Sequence, residues 1–215
     1  MRFDNKNKIF YRENSDDKRM IKEVMEMETY KKLNLNSEDV VLDLGANIGT
    51  FAKKYNRKVK KIISIEPLKE NIVLFKKNLK NINNVMLIEK AVSNYTKNNV
   101  IFYKSNNKKF AGGSLRPKRG YSKIKVNTLS LNSLINKYKP TKIKCDIEFE
   151  EFNLNWEVLK NNRVEILILE IHNDKKFRNK IIPLINKIKK VGFTTNFNKN
   201  EIKNNFPILL EFTKK

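Results

Sequence analysis

Apolar residues arrive in short runs separated by charged, periodic segments. Val40-Val41-Leu42-Asp43-Leu44, Lys61-Ile62-Ile63-Ser64-Ile65, Val85-Met86-Leu87-Ile88-Glu89, Lys142 to Glu148 and Val164 to His172 each have the length of a strand. The first of these and the Val164 run are almost continuously apolar, which fits strands covered on both faces. Between the runs, apolar residues at helical spacing predict helices over Ile48–Tyr55, Leu68–Asn81, Leu131–Tyr138, about Glu151–Lys160 and Lys175–Lys190. Phe193–Phe197 and Phe206–Phe212 are separated by little more than a turn, so they predict an antiparallel pair. Two further strands, Val100–Tyr103 and Ile124–Val126, flank an irregular stretch containing Gly112-Gly113-Ser114. Strands alternating with helices make an α/β fold, doubly wound about a mostly parallel sheet. Residues 1–14 read as an arm whose Ile9-Phe10-Tyr11 can add a strand. Asp16 or Asp17 then opens a helix with Met20, Ile21, Val24, Met25 and Leu33 at helical spacing. With 215 residues the chain suits one domain: an arm and helix over 1–36 packing on a core over 37–215.

Chemistry first shows at the end of the Val40 run. Val40 to Leu44 leads into Gly45-Ala46-Asn47-Ile48-Gly49-Thr50-Phe51, a strand turning through two glycines into a helix. That is the layout of a nucleotide-cofactor loop, with free N–H groups at the helix start. Gly45 leaves the main chain open to close approach. The run Lys61–Ile65 ends in Glu66-Pro67, 23 positions after Asp43, near the interval at which a carboxylate ends the second strand and accepts the hydroxyls of a ribose. A pyrophosphate site would carry three glycines as GxGxxG, whereas Gly45 and Gly49 are separated by three residues. The spacing favours a nucleoside cofactor without pyrophosphate, of which S-adenosylmethionine is the common one. Lys90-Ala91-Val92-Ser93, after the third strand, would lie beside the adenine.

Composition changes this picture little. The formal charge of +23 invites a nucleic-acid reading, yet only eight of the 46 basic residues are Arg, the residue suited to bidentate phosphate recognition. The abundant Lys, Asn and Ile look like a coding bias toward A and T. Local clustering is more informative: between Lys104 and Lys125 stand eight basic residues (Lys104, Lys108, Lys109, Arg116, Lys118, Arg119, Lys123, Lys125) and no acidic one. Only Phe110 and Tyr121 interleave them, which argues against a base-stacking platform. A single cysteine, Cys145, excludes an internal disulfide and a cysteine-built zinc site, and reads as a small apolar residue of a buried strand. No run reaches the 18 apolar residues of a membrane span, and the N-terminus lacks a signal-peptide core, so a cytoplasmic protein without membrane attachment is expected.

The order of these motifs resembles the FkbM family of S-adenosylmethionine-dependent methyltransferases from about Ser15 to the C-terminus. The stretches that carry it are Val41 to Phe51, Ile65-Glu66-Pro67 with Asn71, Ala91-Val92-Ser93, Lys144-Cys145-Asp146-Ile147-Glu148, Glu151 through Leu159, and Glu170-Ile171-His172. The resemblance implies a class I methyltransferase with a seven-stranded sheet, and methyl transfer usually to oxygen, sugar hydroxyls prominent among the acceptors. One departure stands out. Where the family typically reads Asp-Val-Glu-Gly-Ala-Glu, this chain has Asp146-Ile147-Glu148-Phe149-Glu150-Glu151.

A cofactor set of Asp43, Gly45, Ala46, Asn47, Gly49, Glu66, Pro67, Ala91 and Val92 follows, Glu66 for the ribose and Asp43 for the glycine loop or the methionine end. A hydroxyl acceptor needs a general base or a cation that stabilises the developing alkoxide. Asp146, Glu148, Glu170 and His172 would converge at the carboxyl edge of the sheet beside the cofactor. His172, the single histidine, suits proton transfer near neutral pH, Glu170 shares its side of the strand, and Asp146 caps a helix, contacts the methionine amino group, orients the acceptor or acts as base. Asp146, Glu170 and His172 are also candidate ligands for Mg²⁺. Arg116, Lys118, Arg119 and Glu148 are candidate acceptor contacts, for a hydroxylated and anionic small molecule or glycan. Two rival readings are an RNA ribose methyltransferase using the basic loop, and a binding module that kept the fold without catalysis.

Overall fold

The computed structural model describes residues 1–107, 109, 112–203 and 207–215; Lys108 and Phe110 of the basic stretch and Phe206 of the last predicted strand lie outside them. The arm forms its own hairpin, β1 (Arg2–Asp4) with β2 (Ile9–Tyr11), rather than joining the main sheet. It is tied to the body through Asn78, whose side chain accepts from Phe10 N at 2.6 Å and donates to Phe10 O at 3.0 Å. The helix expected from Asp16 to Leu33 is broken into α1 (Asp17–Ile21), a π turn over Lys22–Glu26 and a 3₁₀ turn over Lys31–Leu33. Glu28 takes a φ of +53° between the last two, which stops any continuous helix.

Strand β3 (Val40–Leu44) enters the glycine loop and α2 (Thr50–Tyr55); β4 (Lys61–Ile65), α3 (Lys69–Asn78) and β5 (Val85–Ile88) follow. Beyond them β6 (Ala91–Ser93) pairs in parallel with β10 (Thr128–Ser130), and the chain between builds a small antiparallel sheet of β7 (Val100–Ser105), β8 (Gly113–Ser114) and β9 (Tyr121–Val126). Helix α4 (Leu131–Tyr138) leads to β11 (Lys142–Cys145). The helix expected over Glu151–Lys160 is instead two 3₁₀ turns, Glu150–Phe152 and Trp156–Leu159. The chain ends with β12 (Ile166–Ile171), α5 (Arg178–Lys190), β13 (Phe193–Thr194) and β14 (Ile208–Lys214).

The main sheet has the order β13-β14-β12-β11-β3-β4-β5, parallel from β12 to β5, with β14 antiparallel to both β12 and β13. This is the expected seven-stranded α/β sheet with a C-terminal antiparallel pair. Alternation along the strands sends side chains to two cores. Leu42, Ile63, Ile143 and Leu167 pack with α4 and α5, while Val41, Ile62, Ile166 and Ile168 pack with α2, α3, Tyr30 and Leu33. Cys145 is a free, fully buried residue of the first core. The chain runs outward from β3 to β5 and then returns to β3's other side as β11. The crevice of such a switch point lies at the carboxyl ends of β3 and β11.

Candidate active site

The carboxyl ends of β3, β4 and β11 open into one cavity, and most of the predicted cofactor residues line it: Gly45, Ala46, Asn47, Glu66, Pro67, Ala91 and Val92. Gly45 (φ +80°) and Asn47 (φ +49°) turn the loop through the left-handed region, and Gly45 N and Ala46 N both donate to Ile65 O, at 3.1 and 3.0 Å. Glu66 is the anchor of the loop. Its carboxylate accepts from Asn47 N at 2.9 Å and from Leu68 N and Asn71 Nδ2, each at 3.0 Å. A carboxylate offers about four acceptor positions, so capacity remains for a ligand in the cavity. Burial raises its pKa, and these hydrogen bonds work in the other direction. Asn71 also accepts from Arg12 Nη1 at 2.8 Å, linking the arm to the loop's anchor.

Asp43 and Gly49 do not line the cavity. A side chain on Gly49 would meet Phe75 and Leu79 at 2.9 Å, so its role is close packing of α2 on α3. Asp43 is fully buried behind the loop. Register places Lys144, Asp43 and Ser64 side by side on three adjacent strands. Ser64 Oγ donates to Asp43 Oδ2 at 3.0 Å, and Lys144 Nζ sits 3.2 Å from Asp43 Oδ1. Lys144 Nζ also donates to Gly45 O at 2.6 Å, so the pair holds the loop from beneath. Burial alone would lower the Lys144 pKa, but the charges of Asp43 and Asp146 outweigh it and raise it. Lys144 was not among the candidates read from sequence; its signal is a lysine inside a strand, in register with a buried aspartate. The N-terminal segment was also missed: Asp16, Arg19, Met20 and Tyr30 line the same cavity.

At the far wall, β11 ends at Cys145, short of the expected Glu148, because the chain turns with positive φ at Glu148 (+50°) and Phe149 (+72°). The turn brings Asp146 and Glu148 against Glu170 and His172. His172 Nε2 lies 3.7 Å from Asp146 Oδ1, 3.6 Å from Glu148 Oε2 and 4.0 Å from Glu170 Oε1. Its Nδ1 lies 3.2 Å from Glu151 Oε1, which also accepts from His172 N at 2.9 Å. Asp146, Glu148 and Glu170 line the cavity, whereas the imidazole stands behind them. The neighbouring Asp146 charge, with burial, pushes Glu170 up to about 8. Burial raises Asp146 against the pull of Lys144 and His172. For Glu148, burial is outweighed by His172, and its pKa falls. His172 is held well above its ordinary value: burial opposes the charge, but Glu151 and Glu148 prevail.

Arg116, Lys118 and Arg119 do not line the cavity; they lie on the strap between β8 and β9, where only Leu115 reaches it. No helix among the described residues is long and apolar enough to cross a membrane.

The solved structures with this fold include an rRNA methylase from Streptococcus thermophilus (TM-score 0.54, 13% identity, 88% of this chain and 95% of that one). A putative methyltransferase from Streptococcus mutans in complex with SAH aligns with TM-score 0.53 and 13% identity over 88% and 97% of the two chains. For a putative S-adenosylmethionine-dependent methyltransferase from Listeria monocytogenes the values are 0.54, 12%, 91% and 99%. Among curated proteins no sequence matches. The family model of the methyltransferase FkbM domain matches residues 43–197, from within β3 to just past β13, and the chain therefore belongs to the FkbM methyltransferase family.

Proposed function

We propose that the protein is an S-adenosylmethionine-dependent O-methyltransferase acting on a hydroxyl of a sugar, glycan or related small molecule. The observation that carries this reading is one cavity with two chemically different walls. The glycine-loop wall, with Glu66 for a ribose and Ala91, Val92 and Leu68 as apolar surface, suits the nucleoside of the cofactor. The opposite wall presents Asp146 and Glu170. When bound, the cofactor supplies a methyl group on a sulfonium, and the protein's task is to hold an acceptor oxygen behind it. Asp146 and Glu170 line the same cavity as the glycine loop, which supports them as the groups that orient the hydroxyl and take its proton. His172, pinned at Nδ1 by Glu151, balances their charge from behind.

Among the described residues, the five carboxylates at this sheet edge (Asp43, Asp146, Glu148, Glu151, Glu170) have Lys144 and His172 as the cations at ion-pair distance, with Lys118 acting on Glu148 from farther off. The ligand atoms of Asp146, Glu170 and His172 lie within 4.8 Å of one another; the two carboxylates suit a divalent cation such as Mg²⁺, and His172 would join them only as the neutral imidazole. Those three residues would hold it, and it would lower the pKa of the acceptor hydroxyl.

Asp146→Asn tests the reading. Methyl transfer to a panel of hydroxylated acceptors, followed with labelled cofactor, should fall by about 10²-fold or more, while binding of S-adenosylhomocysteine stays within about threefold. Equal loss of both would assign Asp146 to the cofactor instead. A chelator arm in the same assay decides the cation: activity lost with chelator and restored by Mg²⁺ supports it, and indifference to chelator removes it. The RNA reading has one observation in its favour, the basic strap beside the site, and requires a methylated ribose product and a steep salt dependence.

A further inference from the structure

Phe149 occupies a conformation that costs a bulky side chain and favours glycine: φ +72°. It follows directly after Asp146-Ile147-Glu148. The ring is half-buried rather than part of a core cluster, so packing alone does not explain it. Its centroid lies 5.2 Å from that of His172 and 4.9 Å from that of Phe177, and Phe177 stacks on Phe152 at 5.3 Å with 21° between the planes.

Cations gather over these rings. Lys118 Nζ is 5.4 Å from the Phe149 centroid; the Arg116 guanidinium and Lys180 Nζ are 4.9 and 5.2 Å from that of Phe177. Among the described residues none of the three has a carboxylate at ion-pair distance, whereas Lys104 on β7 is paired with Glu70 at 2.6 Å. Arg116 Nε is buried without a hydrogen-bond partner, while its Nη2 donates to Asn153 at 2.5 Å. Aromatic rings beside cations that act on Glu148 and Glu150 only from beyond ion-pair distance complement a ring that carries a phosphoryl group, through stacking and charge-assisted hydrogen bonds.

We propose that Phe149, Phe177, Arg116 and Lys118 form the acceptor subsite, and that the acceptor is a phosphorylated small molecule whose ring packs on the aromatic side chains, through the flat base of a nucleotide or the apolar C–H face of a sugar phosphate. This rests on the O-methyl-transfer reading and gives its acceptor a chemical class. Phe149 follows Glu148, which lines the cavity, and its ring meets His172, whose Nε2 lies 3.7 Å from Asp146 Oδ1, so the proposed subsite adjoins the cavity on its Glu148 side. Among the described residues, Lys123 and Lys125 of β9 stand over no ring, whereas Arg116, Lys118 and Lys180 do.

Calorimetric titration of the full chain, with and without saturating S-adenosylhomocysteine, tests this with ADP, GDP, CDP, UDP, glucose 1-phosphate, inorganic pyrophosphate and a short single-stranded RNA. At least one ring-bearing phosphorylated probe should bind, and its unphosphorylated parent should bind about tenfold more weakly. Phe149→Leu should weaken the ring-bearing probe by about tenfold and leave pyrophosphate unchanged. Arg116→Ala with Lys118→Ala should weaken both, and S-adenosylhomocysteine affinity should be unaltered in either variant. The nucleotide and sugar-phosphate arms separate the two sources. Failure of every small phosphorylated probe, binding untouched by these variants, or binding of RNA alone would each overturn the proposal. Failure of S-adenosylhomocysteine to bind would count against the donor site, and the titrations without it still decide the subsite.

Discussion

Replacing Gly45 with alanine should destabilise the protein by about 4 kcal/mol or more and lower its melting temperature by roughly 10 °C. Two costs add. The left-handed backbone at φ +80° penalises any Cβ by about 1–2 kcal/mol. The new atom would also sit 1.8 Å from Asp146 O and 2.9 Å from its carbonyl carbon. Neither backbone is free to retreat, because Asp146 N donates to Leu44 O at 3.0 Å while Gly45 N donates to Ile65 O at 3.1 Å. Gly192→Ala is the matched control. Gly192 has φ +98° with nothing within 4 Å of an added Cβ, so it should lose only about 1 kcal/mol. Urea unfolding of both variants separates the terms: equal losses would show that the approach to Asp146 is not what Gly45 is for.

Lys144→Met should cost about 3–5 kcal/mol, the expected effect of stranding a buried charge. Asp43 is fully buried and would keep only the Ser64 hydroxyl, and the loop would lose the 2.6 Å hydrogen bond into Gly45 O. Asp43→Asn combined with Lys144→Met should recover much of the loss, since removing both members of a buried pair is far cheaper than removing one. Because Lys144 supports the glycine loop, the single variant should also bind S-adenosylhomocysteine more weakly. A single variant within about 1 kcal/mol of wild type would mean that the pair is not buried as described.

Strands were legible because a strand buried on both faces is mostly apolar, as Val40–Leu44 is apart from Asp43 and Ile166–Ile171 apart from Glu170. The glycine loop and Glu66 were legible from residue type and spacing, and the approach of Asp146, Glu148, Glu170 and His172 from the resemblance to the family. What escaped depended on register or on local backbone. Lys144 reads as a surface lysine until its strand is laid beside β3, 101 residues away in sequence (144 − 43), where Asp43 waits at the same level. The stretch over Glu151–Lys160 has the apolar content of a helix, yet it buries Leu154, Trp156 and Leu159 from two short turns, the second capped by Asn155 accepting from Glu157 N at 3.1 Å. The helix after Asp17 fails at Glu28, where the Thr29 hydroxyl closes the turn by donating to Glu23 O at 2.7 Å. At Phe149 the departure from glycine was plain in the sequence, but its ring contacts were not.

The central claim is that the cavity between the glycine loop and Asp146 binds the methyl donor through Glu66. Calorimetric titration of S-adenosylhomocysteine into the wild type and into Glu66→Gln addresses it most directly. One site per chain in the wild type, weakened by about tenfold or more in the variant, is the expected result. No binding to the wild type, or undiminished binding to Glu66→Gln, would contradict it.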